Sequence, residues 1–80
     1  MSEINHVTGK QLAAARALLG IGQVELAKAA NVSAPTLRRM EASPGEIEGM
    51  RNNVAAVLRA LNDKNIEFID GGVRLRDRQA

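Results

Sequence analysis

The chain has 80 residues, with 11 Lys and Arg against 9 Asp and Glu, a formal net charge of +2, no Cys, and a single aromatic residue, Phe68. That length makes one domain able to bury roughly 60% of its unfolded surface, and the lack of Cys excludes disulfide frameworks, thiolate metal sites and cysteine nucleophiles. The longest apolar run, 54–58, is far short of the roughly 20 residues of a membrane span, and the opening MSEINHVTGK has no apolar stretch of the secretory kind. These features lead us to expect a cytoplasmic protein. With one aromatic, its core is drawn from Leu, Val, Ile, Ala and Met, which favours packed helices.

In chain order, Thr8 and Gln11 have capping-box spacing before an apolar-periodic run, Leu12, Ala15 and Leu19, which Gly20 closes. The first predicted helix is about 9–19. The second is about 23–30, with Leu26, Ala27 and Ala30 inward, and it stops at Asn31, a residue tolerant of the left-handed conformation. After only Asn31 and Val32 comes Ser33, an N-cap, and Pro35 sits in the first turn of a third helix at about 34–41. Its inward residues are Leu37 and Met40. Residues 42–50 read as a loop, with one helical turn at 46–49 suggested by the Ser43–Glu46 spacing. A longer helix at about 51–64 carries Val54, Val57, Leu58 and Leu61. From Ile66 the period changes to that of strands. An Asp70-Gly71 turn predicts a hairpin at 66–76 that pairs Ile66 with Leu75, Glu67 with Arg74, and Phe68 with Val73. The fold class is therefore mostly α: a single domain with a helical core at 8–64, a hairpin extension, and flexible ends at 1–6 and 77–80.

Two short helices joined by so tight a turn must cross steeply, which is the helix-turn-helix arrangement. The residues Arg16-Ala17-Leu18-Leu19-Gly20, Gln23, Leu26-Ala27, Val32-Ser33, Thr36-Leu37, Arg39 and Glu41 resemble the pattern of the XRE family, the Cro and phage-repressor-like DNA-binding domains. The resemblance covers about 8–64. It implies a lambda-repressor-like bundle of four to five short helices and a sequence-specific transcriptional regulator that places helix 34–41 in the major groove of double-stranded DNA. Gln23 would then meet a phosphate at a helix N-terminus. Ser33 and Thr36 would contact phosphate or base, and Arg38 would reach a guanine edge. Arg39, Arg51 and Asn52 would lie along the backbone. In this family Arg16 and Glu41 would form a partly buried structural ion pair. The chain departs from the family at Ala34 and Pro35, the first recognition-helix positions, where neither side chain offers a donor to a base.

One recognition helix reads only a few base pairs, so a homodimer is expected. Its surface would come from the long helix 51–64, the hairpin, or both. The second reading is a helix-turn-helix scaffold that binds a protein, an antiactivator capturing a transcription factor through the comparatively apolar surface of the same helix. No enzyme is expected. His6 has neither a second His nor a thiol beside it in sequence, the carboxylates show no catalytic pairing, and Gly71-Gly72 is turn chemistry. No cofactor, metal or small-molecule ligand is implied. The useful positive charge is read as Arg38, Arg39 and Arg51 at the contact surface, with Arg74, Arg76 and Arg78 on the tail.

Overall fold

The computed structural model describes residues 6–76; of the expected flexible ends 1–6 and 77–80, all but His6 lie outside the described residues, Arg78 included, and His6 is exposed with its Nδ1 3.3 Å from Glu46 Oε2. Helix α1 spans Gly9–Leu19, α2 Gln23–Ala30, α3 Ala34–Glu41 and α4 Arg51–Asp63; strands β1 (Ile66–Ile69) and β2 (Gly72–Leu75) follow. Several boundaries have a local cause. Thr8 and Gln11 form both bonds of a capping box on α1. Gly20 (φ 72°) and Asn31 (φ 59°) turn the chain out of α1 and α2 in the left-handed conformation. Ser33 caps α3 through the Thr36 N–H. The last helix ends at Asp63, one residue earlier than its periodicity predicts, and Asn65 (φ 70°) redirects the chain into β1.

The apolar stripes meet in one core of Leu12, Leu26, Leu37, Met40, Val57 and Leu61, with the small residues Ala15, Ala27 and Ala30 letting the helices approach closely. The hairpin has the expected register, Ile66 opposite Leu75, Glu67 opposite Arg74 and Phe68 opposite Val73. It does not stand free. Ile66 is buried, Phe68 and Val73 pack on the core, β1 lies against α4 and β2 against α1. A two-stranded hairpin is marginal alone in water, and this docking supplies what it lacks.

The possible helical turn at 46–49 is absent, so the described residues hold four helices rather than five. Glu46 instead makes an antiparallel bridge with Thr8, and the Ile47 N–H donates to the Val7 carbonyl at 2.9 Å. The Ser43 hydroxyl accepts from the Glu48 N–H rather than capping a helix at Glu46. Pairing with the chain before α1 thus takes the backbone groups that a helical turn would have used. Among the described residues, no helix is long and apolar enough to cross a membrane.

Candidate functional site

The α2–α3 pair is held by its connection and by its inner faces. The Val32 N–H returns to the Ala27 carbonyl at 3.0 Å and the Asn31 N–H to Lys28 at 3.1 Å. Ser33 then leaves in an extended conformation, and its hydroxyl both accepts the Thr36 N–H (3.1 Å) and donates to Thr36 Oγ1 (2.8 Å). These two candidate contact hydroxyls therefore hold each other. Leu37 and Met40 anchor α3 in the core, which leaves Pro35, Arg38 and Arg39 exposed on its outer side. Ala34 is half-buried and packs against the core. Ala34, expected at the contact surface, is therefore partly a packing residue.

Arg16 and Glu41 meet in a fork. Arg16 Nε donates to Glu41 Oε2 at 2.7 Å and Nη2 to Oε1 at 2.9 Å, with the Glu41 side chain 7% exposed. Burial pushes the Glu41 carboxyl upward, but the bonds from Arg16 and Gln23 and the Arg16 charge outweigh it and hold the group below its usual range. The bond to Glu41 raises Arg16 despite its own desolvation. Gln23 is the third member: its Nε2 donates to Glu41 Oε1 at 2.9 Å. The side chain expected to reach a phosphate is thus turned into the molecule, and what Gln23 offers outward is main-chain N–H.

The four helix starts differ. Side-chain oxygens of Thr8 and Ser33 cap α1 and α3, whereas α2 and α4 follow Gly22 and Met50 and have no side-chain cap. First-turn N–H groups at α2 and α4 are therefore free for an anion. Glu25 sits in the first turn of α2 and weakens it for that purpose; α4 has no acid there and begins with exposed Arg51 and Asn52. Val24 and Met50, at the same two helix starts, are 63% and 67% exposed.

Three features escaped the sequence reading. Gln11, read only as a cap, also donates Nε2 to the carbonyls of Ile69 and Gly72. Gly9, read only as the start of a helix, lies against the carbonyls of Met40, Glu41 and Ser43. Arg76, read as tail charge, reaches the Asn62 side chain at 2.8 Å and the Asn62 carbonyl at 2.9 Å, tying off α4, whereas Arg74 makes the expected pair with Glu67, at 3.1 Å. All three depend on contacts distant in sequence, which no local spacing reveals. No protein-family model matches the chain, and no curated protein matches it significantly.

Proposed function

We propose that the protein is a DNA-binding regulator whose α2–α3 pair is a helix-turn-helix, with α3 entering the major groove and Arg38 reading a base edge. The observation that carries this reading is the arrangement of α3. Two buried residues, Leu37 and Met40, fix it to the core, while Arg38 and Arg39 remain exposed on a helix joined to α2 through the left-handed Asn31. The uncapped start of α4, with Arg51 and Asn52, suits a phosphate on the flanking backbone. This agrees with the XRE-like pattern of the sequence. Two copies on two half-sites would supply the affinity that one short helix lacks.

The exposure of Val24 and Met50 favours a second reading, in which the same surface takes a protein. Ala34 and Pro35 point the same way, since neither donates to a base. Titration onto mixed-sequence duplex DNA at low and moderate salt separates the two. A DNA binder gives a dissociation constant of about a micromolar or tighter at low salt, weakening steeply as salt rises. Absence of binding even at low salt leaves the protein-partner reading. If binding is seen, selection from a random duplex pool gives the site that Arg38 reads.

A further inference from the structure

Gln11 is buried, and its carboxamide is used on both sides. Oε1 accepts the Thr8 N–H at 2.9 Å, while Nε2 donates to the main-chain carbonyls of Ile69 at 2.8 Å and Gly72 at 2.9 Å. Those two carbonyls flank the Asp70-Gly71 turn, so one side chain holds both arms of the hairpin to the first turn of α1. The bonds fix the Gln11 rotamer, and that rotamer places the acceptor at the Thr8 N–H. Moving the hairpin therefore alters the cap of α1.

The same first turn is fitted to the end of α3. A Cβ on Gly9 would lie 2.8 Å from the Met40 carbonyl oxygen and 2.6 Å from that of Glu41. Its N–H donates to the Gly45 carbonyl at 3.1 Å, and the Ile47 N–H donates to Val7 at 2.9 Å. We propose that this first turn of α1 is a coupler: hairpin and α3 open and close as one cooperative unit, and whatever engages the hairpin changes the setting of the helix that carries Arg38 and Arg39. The contacts through Gln11 and Gly9 involve no nucleic acid, so this coupling holds whether or not the protein binds DNA.

Amide hydrogen exchange on the whole chain, followed by NMR, tests it. Gly71 has φ +74° with nothing within 4 Å of an added Cβ, so Gly71→Ala strains the hairpin turn without touching any other side chain. The Ile47 and Ala42 amides, bonded to Val7 and Arg38, are expected to exchange roughly tenfold faster together with those of the hairpin, with a distinctly smaller response in the α2 amides. In a Gln11→Met background, Gly71→Ala should no longer reach Ile47 or Ala42. A response confined to the hairpin overturns the proposal, as does one spread equally over α2. So does a response at Ile47 and Ala42 that survives Gln11→Met. If Gln11→Met does not fold, the single Gly71→Ala variant still decides the matter through the first two outcomes.

Discussion

Arg16 on α1 and Glu41 at the end of α3 are joined by two parallel hydrogen bonds of 2.7 and 2.9 Å, and Gln23 at the start of α2 adds a third to the same carboxylate. Three helices thus converge on one nearly buried acid. Bidentate, charge-assisted geometry is the strong form of this interaction. Removing one partner strands the other with its desolvation uncompensated. Glu41→Ala is expected to cost about 3 kcal/mol, which in a domain of this size lowers the melting temperature by about 12 °C or more. The Arg16→Ala/Glu41→Ala double variant should lose less than the sum of the two single losses. An unchanged melt for Glu41→Ala would show that the pair does not stabilise the fold.

The same pair makes stability depend on pH. Glu41 is held below its ordinary value in the folded protein, so between the folded and unfolded values the unfolded chain binds more protons and stability rises with pH. The contribution is complete above the unfolded value of about 4.3 and is lost as pH falls through the folded one. Urea midpoints measured from pH 7 down to pH 3 should therefore fall for the wild type. Glu41→Gln should start lower at neutral pH and converge on the wild type at the acid end. Two curves that stay parallel would assign the acid sensitivity to other carboxylates.

Gly9→Ala should be destabilising, against the usual sign for a helix. Alanine is favoured over glycine by about 1 kcal/mol in a helix interior, yet here the new Cβ would sit 2.6–2.9 Å from three main-chain carbonyl oxygens. Those atoms belong to the end of α3 and the loop after it and cannot swing aside as a side chain would. A net loss of about 2 kcal/mol is expected, within the range for overpacking, measured by chemical denaturation. A stabilised variant would mean that α1 and α3 can part at little cost.

The fold was legible where its causes are local. Thr8 and Gln11, Gly20, Asn31, Ser33 and the Asp70-Gly71 turn each act on neighbours within a few residues, and they set the ends of the helices and the register of the hairpin. Residues 42–50 form the expected loop, but the possible turn at 46–49 is absent because Ile47 N–H bonds to the Val7 carbonyl and the Gly45 carbonyl takes the Gly9 N–H, partners that the Ser43–Glu46 spacing does not announce. Candidate contact residues fared unevenly for the same reason. Arg38, Arg39 and Arg51 are exposed because the apolar period leaves them out of the core. Gln23 sits on the same surface by sequence position, but an acid eighteen residues away draws its side chain inward.

Arg38 and Arg51 should separate under substitution if α3 reads DNA. Both are exposed, but they stand in different chemistry. Arg38 projects from the middle of α3, where a guanidinium can bridge guanine O6 and N7. Arg51 opens α4 beside uncapped main-chain N–H groups, an arrangement suited to phosphate. On the duplex recovered by selection, Arg38→Ala should weaken binding by about 1–3 kcal/mol and relax preference at one base position. Arg51→Ala should weaken selected and unselected duplexes alike and reduce the slope of log affinity against log salt by about 1. Fluorescence anisotropy over a salt series on both duplexes reads both quantities. If both variants lose affinity uniformly with the same change in slope, Arg38 contacts only the backbone, and direct base readout by α3 would have to come from Thr36 or from a thymine methyl against Ala34.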